Sequence, residues 1–264
     1  MDLGLADKRA FVSGSTAGIG FAVAAALAAE GAEVTVNGRT QARVDDAVAK
    51  IKKAHPSARV SGFAADLGTP EGAAALLAAL PAVDLLVNNL GIFEPKAFLD
   101  IPDDDWRRFF EVNVLSGIRL SRNYLPGMLA KNWGRIVFVS SESGLQIPAE
   151  MIHYGMTKTA QIAVARGIAE SVAGTGVTVN TVLPGPTASE GVGGFVADLA
   201  RAQNKTTTQV EADFFRDMRP SSLIKRFATI EEIASMVVYV CSTQASATTG
   251  AALRVDGGVV RAIG

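Results

Sequence analysis

The sequence is poor in several residue types, and each shortage excludes something. One cysteine, Cys241, stands among 264 residues, so no disulfide can close within the chain. That fits a reducing compartment. Two histidines complete the soft-ligand inventory, and no His/Cys cluster has metal-ligand spacing, so no metal is expected. Neither charge sign dominates: 25 Lys and Arg face 26 Asp and Glu, giving a net charge of -1. No basic run or stripe suggests nucleic acid, and no polybasic segment suggests anionic lipid. No uninterrupted apolar run reaches the roughly 18 residues a membrane helix requires. The stretch Met1-Asp-Leu-Gly-Leu-Ala-Asp7 lacks the charged and apolar regions of a signal peptide. A cytoplasmic location is the resulting expectation.

What is abundant is apolar sequence, 48% of the chain, arranged as a repeating rhythm. Apolar runs at 9–13, 33–37, 59–65, 83–88, 135–140, 177–182 and 251–255 read as strands. Helices are expected at about 21–30, 41–54, 70–80, 103–130, 151–172 and 229–241. Gly31 stops the first helix, and Thr229 with Glu232 forms a capping box at the last. Runs such as Leu85-Leu-Val87 and Ile136-Val-Phe-Val139 are apolar on both faces. They predict an α/β fold with a doubly wound parallel sheet and helices on both faces. Residues 1–264 read as a single domain. Between 184 and 222 the rhythm breaks, with Gly191, Gly193 and Gly194 as hinges for short helices. Ligands of such sheets bind outside the carboxyl ends of the strands.

The stretch from Ser140 to Lys158 carries the strongest chemical signal. Tyr154 and Lys158 are four residues apart, on one face of the expected helix. An ammonium beside a phenol favours phenolate and brings its pKa down toward working pH, as a general acid/base needs. Ser141, at a strand end, can aim its hydroxyl at the same point. A surface Tyr with a helical Lys neighbour has the same spacing, so the pair alone does not decide.

A second signal is Gly14-x-x-x-Gly18-x-Gly20, between a strand and a helix. Glycines permit a tight turn against a pyrophosphate, and the helix N-terminus offers free N–H groups. The spacing differs from the commoner G-x-G-x-x-G pattern and also suits a plain βα turn. Gly38-Arg39 ends the second strand with no carboxylate and one guanidinium. That favours a 2′-phosphate, hence NADP(H), with NAD(H) still open. Asp66 can accept from an adenine amino group. Asn89 can tie neighbouring strands or touch ribose, and Gly91 permits close approach.

Together these residues resemble the short-chain dehydrogenase/reductase family over essentially the whole chain. Its glycine motif matches at Gly14, Gly18 and Gly20. Its Asn-Asn-Ala-Gly element appears as Asn88-Asn-Leu-Gly91. Its catalytic set matches Asn113, Ser141, Tyr154 and Lys158, and its late motifs match Pro184-Gly-Pro-Thr-Ala-Ser189 and Asp256-Gly-Gly258. Two departures are Leu90 for the usual Ala, and Ala17 where many NADP-preferring members carry a basic residue.

The resemblance implies a Rossmann-like sheet of about seven strands and a hydride transfer between NADP(H) and a carbonyl or secondary alcohol. Tyr154 would be the acid/base and Ser141 the partner of the carbonyl oxygen. Lys158 would lower the Tyr pKa and hold the nicotinamide ribose, and Asn113 would hold a proton-relay water. Cofactor contacts are expected from Gly14, Ser15, Thr16, Gly18, Ile19, Gly20, Arg39, Asp66, Leu67, Asn89, Gly91, Tyr154, Lys158, Pro184, Gly185, Thr187 and Ser189. Thr187 and Ser189 would orient carboxamide and pyrophosphate.

A lid over about 187–222 would close the substrate pocket with Phe195, Leu199, Phe214, Phe215 and Met218, or these would pack on the sheet. His153 should face away from the site. Glu142 lines the pocket or is a solvated loop acid. Trp106 and Trp133 read as packing residues, and Cys241 as a small buried one. Asn132 and Thr175 fall where carrier-protein reductases of this family place arginines, which points to a free small-molecule substrate. Related proteins form tetramers through the long helices and last strand, so a homotetramer is expected. A 3-oxoacyl carrier-protein reductase and a non-catalytic NADP sensor are the alternatives.

Overall fold

The computed structural model describes residues 2–263, except the side chains of Phe195 and Leu199. Expectations resting on those two side chains, and on Met1 and Gly264, lie outside the described residues. Seven strands form one parallel sheet in the order β3-β2-β1-β4-β5-β6-β7. They are β1 (Arg9–Val12), β2 (Glu33–Gly38), β3 (Val60–Ala64), β4 (Leu85–Asn88), β5 (Gly134–Val139), β6 (Val177–Pro184) and β7 (Ala252–Val255). The order reverses between β1 and β4, leaving a crevice at their carboxyl ends, where such sheets bind ligands.

Side chains alternate across each strand, so each strand feeds two cores. Val12, Val34, Val36, Val87 and Val137 meet helices α1 (Gly18–Ala29), α2 (Gln41–Ala54) and α9 (Ile230–Cys241). On the other face Phe11, Leu86, Ile136 and Phe138 gather with residues of α3 (Pro70–Ala79), α5 (Ser116–Ala130) and α6 (Ile152–Ser171). This double burial explains why the strands carry so few polar residues. The capping box at Thr229 and Glu232 forms as expected.

The expected long helix over 103–130 is two helices, α4 (Asp103–Phe110) and α5, joined by a π-turn at Glu111–Leu115. The turn contains Asn113, and an extra residue in a helix frees a carbonyl. The irregular stretch after Pro184 folds into α7 (Glu190–Gln203), α8 (Thr207–Asp213) and a π-turn at Phe214–Met218. Phe214 and Phe215 pack on one another and on Phe227, so part of the expected lid is a cluster of its own.

Candidate active site

The glycine turn is built to approach a ligand closely. Gly14 and Gly18 have φ of 61° and 58°, in the left-handed region that favours glycine. A Cβ on Gly20 would lie 2.5 Å from the Gly14 carbonyl and 2.4 Å from Asn89 Nδ2. Asn89 Nδ2 donates to the carbonyls of Ser13 and Gly14, tying β4 to the turn. Asn37 Oδ1 accepts from Gly14 N, and its Nδ2 donates to the carbonyls of Phe63 and Ala65. The turn is therefore held from both neighbouring strands. Helix α1 opens without a capping side chain and with no acidic residue in its first turn. Free N–H groups and a glycine cradle fit a pyrophosphate.

Several expected contacts are spoken for. Ser15 is fully buried; its Oγ donates to the Val12 carbonyl and accepts from Asn37 N. Leu67 is buried in the core, and Ile19 packs against the other core. Their side chains pack in the scaffold. Thr16 rests against Gly38 at the end of β2. Arg39, just beyond, is exposed and has no ion pair among the described residues. Asp66 Oδ1 accepts from Gly68 N, and the side chain is exposed. Thr187 Oγ1 donates to the Gly185 carbonyl, and Ser189 Oγ caps α7 by accepting from Val192 N. Pro184 and Gly185 end β6 against Asp256.

Between β4 and β6 lies the second cluster. Ser141 follows β5, and α6 runs alongside with Tyr154 half-buried and Lys158 buried. Lys158 Nζ is 5.6 Å from the Tyr154 ring centre. It donates to the Val139 carbonyl at 3.0 Å and to Gln161 Oε1 at 3.2 Å. A side chain on Gly91 would lie 3.4 Å from that ammonium, so β4 brings its end to the same place. Phe93 sets its ring edge-on to Tyr154 at 6.3 Å and is half exposed.

One electrostatic expectation is corrected. The phenol of Tyr154 is pushed above its ordinary value, chiefly by burial and also by the charge of Glu142; hydrogen bonding from Ser141 and the charge of Arg219 pull it back only in part. Burial likewise lowers Lys158 from 10.5 to about 7. The helix spacing was read correctly, but its consequence was not. Desolvation penalises both charged forms.

The side chain of Asn113 is satisfied by its neighbours. Its Oδ1 accepts from Ile92 N, and its Nδ2 donates to the Ile92 carbonyl and Thr157 Oγ1. Its main-chain carbonyl accepts from Gln161 Nε2 at 2.5 Å. Gln161 thus bridges Lys158 and Asn113. Its position three residues past Lys158 could have exposed it as a same-face neighbour.

Glu142 lines the site and is not solvated: it is 4% exposed. Its Oε2 accepts from Ser141 Oγ at 2.5 Å and from Ser143 N and Oγ; its Oε1 accepts from Arg219 Nε at 3.1 Å. No local pattern in the sequence marked Arg219, which lies 77 positions from Glu142. His153 faces away, buried between the rings of Trp106 and Phe109. Trp133 packs under Lys8 and Arg135. Cys241 is fully buried, and burial pushes its thiol up to about 12.

The family relationship follows from sequence and fold together. Residues 14–260 match a family model described as Enoyl-(Acyl carrier protein) reductase. The chain is 49% identical over 263 residues to the uncharacterized oxidoreductase YvaG of Bacillus subtilis (strain 168), with 100% of both chains covered. It is 34% identical over 257 residues to a D-beta-hydroxybutyrate dehydrogenase of Cupriavidus necator, covering 96% of this chain and 98% of that one. Its fold matches that of L-sorbose reductase from Gluconobacter frateurii, complexed with NADPH and L-sorbose, with a TM-score of 0.93, 29% identity and 100% of both chains covered. The chain belongs to the short-chain dehydrogenase/reductase family. It is an NAD(P)-dependent oxidoreductase. No described helix is long and apolar enough to cross a membrane.

Proposed function

We propose that this protein transfers hydride between NADP(H) and a neutral carbonyl or secondary alcohol. One observation carries the reading: Tyr154 stands half-exposed with the Lys158 ammonium 5.6 Å from its ring centre, on the helix that runs past Ser141 at the end of β5. The nicotinamide, when bound, supplies or accepts the hydride. Everything else falls to the chain. Tyr154 gives its proton to the carbonyl oxygen in reduction, and its raised pKa suits a proton donor. Ser141 hydrogen-bonds the substrate oxygen. Lys158, anchored by Val139 and Gln161, holds a ribose and offsets the charge of a phenolate. Gly14, Gly18, Gly20 and the start of α1 hold the pyrophosphate. Asp66, Asn89, Gly91, Pro184, Gly185, Thr187 and Ser189 border the cofactor, with main-chain contacts from Ser15, Thr16, Ile19 and Leu67.

Arg39 takes the 2′-phosphate, because it is exposed, unpaired among the described residues and beside no carboxylate at the end of β2. The relatives and neighbours act on hydroxy acids, sugars and acyl carriers by name, so they leave the substrate open. Charge narrows it. Glu142 and Glu150 share the one Arg219, so its guanidinium is already occupied by carboxylates and is not free to take an anionic substrate. Asn132 is uncharged and its Oδ1 is occupied by Gly176 N, which offers nothing to an acidic carrier. The chain then works as one dinucleotide-binding unit whose 187–222 segment covers the substrate, in the cytoplasm. Exposed Phe98, Leu99 and Phe110 beside and on α4 support self-association as a homotetramer.

The test is a panel of neutral ketones, aldehydes, keto acids and an acetoacetyl carrier, assayed with NADPH and NADH. Turnover of neutral carbonyls with NADPH supports the reading. A carrier or keto acid turned over far faster contradicts the substrate class, and NADPH binding without any turnover contradicts the enzyme.

A further inference from the structure

The Lys158 ammonium is buried among neutral groups. Its Nζ donates to the Val139 carbonyl at the end of β5 and to Gln161 Oε1, three residues further along α6. Gln161 Nε2 donates in turn to the Asn113 main-chain carbonyl, in the π-turn at Glu111–Leu115. Gln161 is 1% exposed, so its amide is satisfied from within the protein. The amide can face only one way. An ammonium has no lone pair to give and a carbonyl has no proton, so oxygen meets Lys158 and nitrogen meets Asn113. An ammonium carries three N–H groups. Val139 and Gln161 fix two of them, and the third remains.

The groups facing the ammonium are the Val139 carbonyl from β5, Gln161 and the Tyr154 ring from α6, Asn113 beyond the Gln161 amide, and Gly91 after β4. Of these, Tyr154 alone titrates. Glu142 and Arg219 bear on Tyr154 and pair with each other. A carboxylate in place of the amide would pair with the ammonium and hold its charge, and it could not donate to the Asn113 carbonyl. An apolar chain of the same length would leave the Asn113 carbonyl and one ammonium N–H without that partner. An amide serves both ends and adds no charge.

We propose that Gln161 is the positioning residue of Lys158: a neutral brace between α6 and the π-turn that aims the ammonium and leaves its third N–H and its charge for the Tyr154 phenolate and a ribose. The inference rests on the roles proposed above for Tyr154 and Lys158. It makes the π-turn part of the site. The Asn113 main-chain carbonyl reaches Lys158 through Gln161, while the Asn113 side chain is held by Ile92 and Thr157. Gln161 acts through Lys158 alone. No proton passes along it, because an amide takes none up near neutral pH.

The test follows Lys158 itself in the cofactor-free full chain, by the magnetic resonance of labelled lysine ε-carbons, with the Lys158 signal assigned by its loss in Lys158→Met. Beside it, kcat in the reducing direction is followed against pH with NADPH and a carbonyl identified by the panel, and NADPH affinity is titrated directly. In Gln161→Glu the Lys158 titration should move up by about one pH unit or more, because an opposite charge favours the ammonium. The alkaline limb of the kcat profile should move the same way. In Gln161→Met the titration should move down, because burial is then opposed by one acceptor fewer. Its kcat should fall about tenfold, and NADPH should bind about threefold more weakly. Gln161→Glu keeps the test alive if Gln161→Met does not fold. A Lys158 titration and a kcat profile that both stay in place in Gln161→Glu would overturn the brace. So would a Gln161→Met whose kcat drops while titration and limb stay unmoved, the mark of a merely structural role. Absence of turnover by the unsubstituted enzyme, with the Lys158 titration moving as expected, would overturn the functional reading and leave the brace standing.

Discussion

The two halves of the crevice solve different problems with different materials. The β1–β3 half, where the dinucleotide's phosphates would lie, uses neutral groups. Asn37, Asn89 and Ser15 satisfy the glycine turn with short hydrogen bonds to main chain, and the charges near it, Arg39 and Asp66, are exposed. The β5–β6 half buries titratable groups instead: Glu142, Lys158 and Arg219 all sit in or near the core. A neutral, self-satisfied turn presents geometry. A buried cluster of charges presents reactivity, because low local polarity moves each group's proton affinity away from its solution value. The contrast explains why substitutions in the first half should alter which cofactor binds, and those in the second should alter what happens to a proton.

Breaking the contrast most sharply means removing one oxygen. Tyr154→Phe should cut kcat by about a thousandfold, within the range of general acid/base catalysis, while NADPH affinity measured by fluorescence titration stays within twofold or so. A smaller effect is expected on the cofactor side. Arg39→Asp should shift the NADP/NAD ratio of kcat/KM by about a hundredfold toward NAD, as a charge-assisted phosphate contact becomes a repulsion. A ratio that does not move would remove Arg39 from the 2′-phosphate site.

Lys158 gives a prediction about stability. Its folded value, about 7, lies below its ordinary 10.5. The unfolded chain therefore binds the proton more tightly, and the cost to the fold is full at and below pH 7 and relieved as pH rises toward 10.5. Lys158→Met should then raise stability at pH 7 by about 1–2 kcal/mol, after the loss of two hydrogen bonds, and the gain should shrink with rising pH. Urea titrations at several pH values check the slope. The smallest effect belongs to a control outside both halves. Thr229→Ala removes the capping box of α9 and should cost about 1 kcal/mol in the same titrations, with kinetics untouched.

Much of this was readable from the sequence. Strands apolar on both faces demanded helices on both sides, and the glycine turn and Tyr154 each sat at a strand or helix end that a parallel sheet brings together. What escaped the reading depends on long-range packing. The π-turn at Asn113 requires knowing where α4 and α5 press on α6. Arg219 reaches Glu142 only because the segment after α8 folds back. The sign of the Tyr154 shift turned on burial, which a spacing of four residues does not report. Gln161 was accessible in principle, since helix periodicity places it beside Lys158, but an amide carries no signature of its own.

The account rests on burial setting the protonation of the catalytic half before any cofactor arrives. Titrating phenol absorbance in the cofactor-free enzyme, as a difference between the unsubstituted chain and Tyr154→Phe, measures that directly. The expected result is a Tyr154 phenol that stays protonated past the ordinary tyrosine value of about 10. A Tyr154 phenolate appearing below that value would contradict it.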